Sequence, residues 1–342
     1  MSYVRNAWYV ASWEQDLKVD KPFAVTVLGE PIVLWRSQVG KIAALEDRCV
    51  HRLAPLSLGR CEGEKIRCMY HGFVYNSSGV VTEIPGQDLI PPHAKVRVYP
   101  VTEKHSWIWV WMGDPALADE VLIPPAVGFD NPEWLLGRGV LEYQAEGRLI
   151  CDNLLDFSHL SYVHRESFGA TENWAHSRPK VTALERGVRV ERWLLSQPAP
   201  NGGPKGGELQ DQWVTYDFLI PGILLMTGGN YREGAAKSFE MGPPDLSKAE
   251  SGVTFTSQAV TPIGPGRAHY FFSWGPHVRC GDVALRDALM VMAMKAFEED
   301  RAMIEAQQRV INSTASPRIL PTSADKAITL FNMIVDRLAR EP

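Results

Sequence analysis

Two short segments, Cys49-Val50-His51 and Cys68-Met69-Tyr70-His71, each place one thiol and one imidazole within a few residues, with sixteen residues between His51 and Cys68. Thiolate sulfur and neutral imidazole nitrogen are the donors that hold transition metals, and a metal shared by two segments forces the loops carrying them to meet. A fold that uses these donors on one metal brings residues near 50 and near 70 to a common centre, where chance pairing would not. The five cysteines, Cys49, Cys61, Cys68, Cys151 and Cys280, are an odd number, and in a reducing compartment that favours metal over disulfide. Cys61 lies between the pairs but outside both patterns and reads as a structural thiol. Two centres satisfy the donor set: a closed tetrahedral zinc with two Cys and two His, and a two-iron cluster in which two His replace two Cys on one iron.

Around these loops the pattern is that of an all-β domain. Short apolar runs over 23–47, broken at Gly29-Glu30 and Gln38-Val-Gly40, read as hairpin-linked strands, and Gly72-Phe-Val-Tyr, Val80-Val-Thr, Val96–Tyr99 and Trp107-Ile-Trp-Val-Trp continue the spacing. Trp107, Trp109 and Trp111 fall on one strand face, which reads as core packing. Gly113-Asp-Pro, Pro124-Pro125 and Asn131-Pro132 interrupt the pattern, so the expected division is a first domain over 1–120 and a second over 121–342. The second begins with a helix-like segment over 148–164. Strands follow at 188–195, 213–220, 253–260 and 269–274, a glycine-rich loop at Asn201–Gly207, and helices over 283–311 and 323–340, an α+β pattern. No helix start follows the loop, so its glycines have little claim to cradle a phosphate.

At 342 residues and 45% hydrophobic composition, the chain can bury a core without disulfide staples, which excludes a disordered chain and a small secreted scaffold. A net charge of −5 offers no overall case for nucleic acid or an anionic membrane. MSYVRNAWYV lacks a basic region followed by an apolar run, and no stretch approaches the roughly 20 apolar residues of a membrane span. A soluble cytoplasmic protein is expected.

A second constellation lies on 151–164, where His159 and His164 follow Asp156. Asp156 and His159, three apart, would share a helical face, whereas the five-residue interval of the histidines requires the helix to loosen or end between them. Two His and one carboxylate on one face of an iron leave the opposite positions open for dioxygen. The carboxylate must come from elsewhere, and spacing does not choose among Asp287, Glu298, Glu299, Asp300 and Glu305 on the late helix.

The Cys-x-His and Cys-x2-His loops, together with Asn153-x2-Asp156-x2-His159-x4-His164, Phe297-Glu-Glu-Asp300, Glu305 and Gln307-Gln308, resemble the Rieske non-heme iron oxygenases. Among them the chain is most similar to the aromatic O-demethylating monooxygenases of the vanillate type. Val50 and Met69 stand where the family often has proline, at positions that are not ligands. The resemblance implies an N-terminal Rieske domain whose [2Fe–2S] cluster is held by Cys49, His51, Cys68 and His71. It also implies a helix-grip-like α+β catalytic domain with an antiparallel sheet, where His159, His164 and Asp300 hold mononuclear Fe(II). Asn153 belongs to the same motif. In this family the cluster of one subunit serves the iron of its neighbour in a head-to-tail trimer, with a carboxylate between the two metal-bound histidines. Asp156 matches that carboxylate and is expected to hydrogen-bond His159 and the neighbour's counterpart of His71.

The implied activity is that of a terminal oxygenase using O2 to O-demethylate a small methoxylated aromatic acid; aryl-methyl hydroxylation and N-demethylation on the same machinery are the enzymatic alternatives. A zinc-binding or electron-carrying protein without catalysis is the alternative of a different class, and it would not need the second constellation. The chain has no Gly-x-Gly-x-x-Gly after a strand, so NAD(P)H electrons must arrive through a partner, in this family a flavin and [2Fe–2S] reductase. Arg48, Arg52, Lys65 and Arg67 flank the cluster loops as candidate cations for docking an acidic donor. Leu155, Gln258, Tyr270 and Phe272 are candidates for the apolar lining of a substrate pocket.

Overall fold

The computed structural model describes residues 3–198 and 208–340; the expected loop at Asn201–Gly207 lies outside the described residues. The chain forms two compact units, one running to Ile123 and including Thr261–Pro265, the other from Pro124 to Val260 and from Gly266 onward. The return of 261–265 to the first unit has no signature in the sequence. Thr261 Oγ1 donates to the Val10 carbonyl (2.6 Å) and the Pro262 carbonyl accepts from Leu28 N (2.7 Å).

The first unit holds three small antiparallel sheets. One pairs Ala7–Trp13 with Trp107–Met112 and then Val101–Lys104, one joins Phe23–Val27, Glu30–Arg36 and Ile42–Glu46, and the third runs Arg60–Glu62, Lys65–Arg67, Val74–Asn76, Val81–Glu83. The first hairpin turns on Leu28 (φ 53°) and Gly29 (φ 80°), the two positive dihedrals of a tight turn matched to strand twist. Every residue of Trp107–Met112 is buried, with Trp111 against Trp8 (5.4 Å between ring centroids) and Trp107 against Trp13 (5.3 Å), so the three tryptophans are core.

The second unit is built on one seven-stranded antiparallel sheet in the order Gly137–Tyr143, Arg267–Pro276, Ser251–Gly264, Ile223–Arg232, Leu209–Leu219, Gly187–Pro198, Lys180–Leu184. Ile223–Arg232 is absent from the sequence expectation, and its paired glycines, Gly228 and Gly229, are residues of low strand propensity. In the sheet, a Cβ on Gly228 would come within 2.4 Å of the Trp213 carbonyl and one on Gly229 within 2.8 Å of Ala249 Cβ, so these glycines serve close packing in a strand. Aromatic side chains of one sheet face meet the helices. Phe218 packs on Phe331 of the helix Lys326–Leu338 (4.8 Å), Phe272 on Phe297 of the helix Val283–Ser313 (4.8 Å), and Tyr216 on Phe157 (4.8 Å).

The expected helix over 148–164 is interrupted. Gly147–Leu155 is helical, Asp156 is extended (φ −124°, ψ 100°), and a 3-10 turn Phe157–His159 leads into Leu160–Val163. The helix ends between the histidines as their spacing requires, at Val163 with His164 its C-cap, but a further break falls before His159, and Asp156, at the head of the 3-10 turn, shares no helical face with His159. The cause is local: the Asp156 carboxylate caps the new turn, accepting from Ser158 N and Oγ, both at 2.9 Å. Among the described residues no helix is long and apolar enough to cross a membrane.

Candidate iron centres

The two Cys-His loops of the first unit are the same turn used twice. Cys49 N donates to the Ala54 carbonyl and Leu53 N to the Cys49 carbonyl; Cys68 N donates to the Phe73 carbonyl and Gly72 N to the Cys68 carbonyl, all at 2.8–2.9 Å. Leu53 and Gly72 occupy equivalent positions with positive φ (58° and 80°). Gly72 also lacks room for a side chain, since a Cβ there would meet Pro85 Cγ at 2.7 Å. Cys49 and Cys68 are buried beneath the loops, while His51 and His71 are exposed with ring centroids 4.5 Å apart. Burial, with the neighbouring Cys49 thiol adding to it, pushes the Cys68 thiol up.

A centre with a buried two-sulfur end and an exposed two-imidazole end suits a two-iron cluster in which a pair of cysteines ligates one metal and a pair of histidines the other. A single tetrahedral zinc needs all four donor atoms within about 4 Å of one another. Among the described residues the donor atoms of Cys49, His51, Cys68 and His71 do not gather even within 4.8 Å of one another, as those of His159, His164 and Asp300 do.

Two further groups hold the loops. The buried Tyr75 hydroxyl donates to Cys49 Sγ (3.1 Å) and accepts from Val50 N (3.0 Å). Arg67 Nη1 donates to the Gly72 carbonyl (2.9 Å), and its guanidinium pairs with Glu62 (2.7 Å) and Glu83 (2.8 Å). Those carboxylates raise the Arg67 pKa further, and hydrogen bonds from Arg67 and Arg60 hold Glu62 down to about 2. Arg67 is thus a loop staple and not a free docking cation, and Arg48 pairs with Glu46 (2.7 Å). Arg52 and Lys65 are exposed.

A donor to a cluster sulfur stabilises the more negative, reduced state. Tyr75→Phe is expected to lower the cluster potential by roughly 40–65 mV, the one-electron equivalent of a hydrogen bond of about 1–1.5 kcal/mol. Protein-film voltammetry measures it, and an unchanged potential would show that the Tyr75 hydroxyl does not act on the cluster.

The second centre assembles around the interruption at Asp156. His164 Nε2 lies 3.1 Å and His159 Nε2 3.5 Å from the same Asp300 oxygen, Oδ1. Asn153 Nδ2 donates to that oxygen (3.1 Å) and stands 3.3 Å from His159 Nε2. The outer ring nitrogens are also engaged. His159 Nδ1 donates to the Asp156 carbonyl (2.6 Å), and His164 Nδ1 to Glu299 Oε2 (3.0 Å), which also accepts from Ser167 Oγ (2.6 Å). With both Nδ1 protonated, each Nε2 is a lone pair facing a carboxylate oxygen, and acceptors converge this way around a cation. Burial opposes charge on both rings. It lowers the His159 pKa outright, whereas on His164 the carboxylates of Asp300 and Glu299 outweigh it and raise the pKa. Two His and one carboxylate are the donor set of a mononuclear non-heme iron with open positions, and the residues fit that metal.

The scaffold explains the convergence. The long helix buries Ala293, Ala296, Phe297, Asp300, Ile304 and Gln308 in one stripe, so Asp300 is the one carboxylate on a largely apolar face. The start of Gly147–Leu155 is tied to that helix by Tyr143 OH to the Phe297 carbonyl (3.0 Å), Gln144 N to Glu305 (2.9 Å) and Glu146 N to Gln308 (2.9 Å). Its end is tied to the sheet by Tyr216 OH to the Leu155 carbonyl (3.1 Å).

Some expectations change here. The Asp156 bond to His159 runs through its main-chain carbonyl, because the carboxylate is engaged with Ser158. Leu155, Gln258, Tyr270 and Phe272 are all buried, with Gln258 Oε1 accepting from Tyr270 OH (2.7 Å) and Tyr270 packed on Tyr143 and Phe297. Glu299, Ser167 and Tyr75 were not singled out by the sequence for these contacts. Only Glu299 had a signal, as a neighbour of Asp300 in the acidic run.

Residues 7–100 match the Rieske [2Fe-2S] domain family, and 143–341 match the vanillate O-demethylase oxygenase C-terminal domain family. The chain is 40% identical to the oxygenase component of dicamba O-demethylase from Stenotrophomonas maltophilia, covering 99% of this chain and 98% of that protein. It is 36% identical to the iron-sulfur subunit of the toluene-4-sulfonate monooxygenase system of Comamonas testosteroni, covering 99% and 97%. The crystal structure of dicamba monooxygenase bound to dicamba superimposes with a TM-score of 0.84 at 28% identity, over 99% of this chain and 98% of that one. On agreement over nearly its whole length, the chain belongs to the Rieske non-heme iron oxygenases, as a monooxygenase that carries a [2Fe–2S] cluster and a mononuclear iron.

Proposed function

We propose that the chain is the terminal oxygenase component of an aromatic O-demethylase acting on a small methoxylated aromatic acid, with electrons from a flavin and [2Fe–2S] reductase. The observation that carries this reading is the convergence of His159, His164 and Asp300 in a chain that also holds the paired Cys-His loops. With the metals bound, the centre uses O2 and two electrons to place one oxygen on the methoxy carbon. The balance is ArOCH3 + O2 + 2 e⁻ + 2 H⁺ giving ArOH, CH2O and H2O. The hydroxylated carbon is a hemiacetal that collapses unaided, so no separate hydrolytic acid is required.

The residues' own work is to hold and to orient. His159, His164 and Asp300 would supply the metal ligands, Asn153 fixes the Asp300 oxygen they share, and the Asp156 carbonyl and Glu299 set the direction of the two rings. Cys49, His51, Cys68 and His71 would hold the cluster. An acidic substrate is supported by two buried donors without a hydrogen-bond partner, Arg192 Nε and Trp274 Nε1. The Arg192 guanidinium lies 6.0 Å from the Phe157 ring, which meets His159 edge-on, and the Trp274 ring lies 6.0 Å from Phe168, which meets His164 edge-on.

Asp156 would serve as the bridge between His159 and the neighbouring subunit's counterpart of His71 in a head-to-tail trimer. The exposed His51 and His71 at the tip of their loops suit that contact.

The reading is tested by supplying the reconstituted system with vanillate, dicamba and toluene-4-sulfonate and measuring products. One formaldehyde per O2 from a methoxylated acid is expected. A benzylic alcohol from toluene-4-sulfonate with no formaldehyde from either methoxylated acid would replace demethylation by methyl hydroxylation.

A further inference from the structure

The two histidines of the iron site are held unequally. His159 Nδ1 donates to a neutral main-chain carbonyl, that of Asp156. His164 Nδ1 donates to a carboxylate, Glu299 Oε2 at 3.0 Å. Glu299 and Asp300 are adjacent on the long helix, about 100° apart around its axis, and together they clasp one imidazole from its two nitrogens. His164 is 1% exposed, so in the native protein no water competes with Glu299 at Nδ1. Glu299 is itself fixed, since the same oxygen accepts from Ser167 Oγ at 2.6 Å, three residues beyond His164.

A carboxylate on the outer nitrogen fixes the tautomer, aims the inner lone pair and increases its basicity, where a carbonyl does the first two but adds less negative charge. We infer that Glu299 is a positioning residue that sets metal retention by making His164 the stronger of the two imidazole donors. Ser167 assists by holding the Glu299 oxygen in line. The inference rests on His159, His164 and Asp300 being the metal ligands. It adds a residue that is not itself a ligand and ranks the two histidines.

The experiment uses full-length, cluster-loaded protein stripped of mononuclear iron and equilibrium dialysis against Co(II), with bound metal measured by mass spectrometry. Glu299→Gln keeps the shape and a hydrogen-bonding oxygen without the charge, and should weaken Co(II) binding about 10-fold; Glu299→Ala should weaken it roughly 10- to 100-fold. Added formate, which the partly exposed Glu299 position can admit, should restore binding to Glu299→Ala but not to Glu299→Gln. Ser167→Ala, a mild change, should weaken binding by a few fold.

Binding by Glu299→Ala within twofold of wild type would overturn the inference. Weaker binding that formate leaves unchanged, with a lower melting temperature of the metal-free protein, would also overturn it and leave Glu299 a prop for the helix. Wild-type protein that takes up no stoichiometric Co(II) would instead overturn the ligand assignment, and this inference with it.

Discussion

Asp300→Ala should lose the mononuclear metal and fall in turnover by about 10³-fold or more, the consequence of removing a metal-dependent stabilisation of at least ~4 kcal/mol. The visible and EPR spectra of the cluster should survive, because Cys49, His51, Cys68 and His71 belong to the other compact unit. A thermal readout makes the test independent of activity. Metal that binds only the folded protein raises its stability by about 2.7 kcal/mol at a hundredfold excess over Kd, so wild type should melt higher with Fe(II) or Co(II) and the variant should not. An Asp300→Ala protein that keeps a metal-dependent shift would remove Asp300 from the ligand set and bring Glu298 and Glu299 back into question.

Asp156→Asn should retain both metals and slow oxidation of the cluster by the substrate-bound iron site about 10²-fold, while reduction by the external donor continues. The structure makes this substitution unusually clean. Asparagine caps a helical turn about as well as aspartate, so Oδ1 still accepts from Ser158 N while Nδ2 donates to Ser158 Oγ in place of the bond Oδ2 accepted, and the main-chain carbonyl that holds His159 is untouched. What would be lost, on the proposed trimer, is the negative charge that Asp156 offers to the neighbour's metal-bound histidine. Asp156→Ala would in addition lose the cap, worth about 1 kcal/mol, and loosen the turn that carries His159. Rapid-mixing kinetics with normal cluster reoxidation in Asp156→Asn, or an active monomer in light scattering, would exclude the inter-subunit route.

The two centres were legible to different degrees. The cluster loops announce themselves because each donor pair is local: Cys49 and His51, and Cys68 and His71, lie within one turn, and the paired hydrogen bonds around Leu53 and Gly72 are short-range. Of the iron site, the histidines were visible on 151–164, but the spacing alone left five carboxylates open. The apolar stripe Ala293, Ala296, Phe297, Ile304 contains the missing signal, since Asp300 is the acidic residue in phase with it. The end of the helix between the histidines was legible, but the further break at Asp156 was not, because a side-chain cap of two residues outweighs helix periodicity and leaves no mark in a pattern of apolar positions.

By itself the sequence determined the donor types, the β and α+β character of the two halves and the pairing of each thiol with a nearby imidazole, all consequences of residues close along the chain. Tertiary structure alone decided that Asp300 and Glu299 close on His164 from 136 and 135 residues away, that Tyr75 reaches the Cys49 sulfur, and that Arg67 is consumed by Glu62 and Glu83. It also decided that Gly228 and Gly229 lie within a strand, and that 261–265 joins the first unit. The physical reason is common to all of these. A hydrogen bond, an ion pair or a close backbone approach is a matter of angstroms between groups whose separation along the chain carries no periodicity, and only the packing of the sheet and the long helix sets that distance.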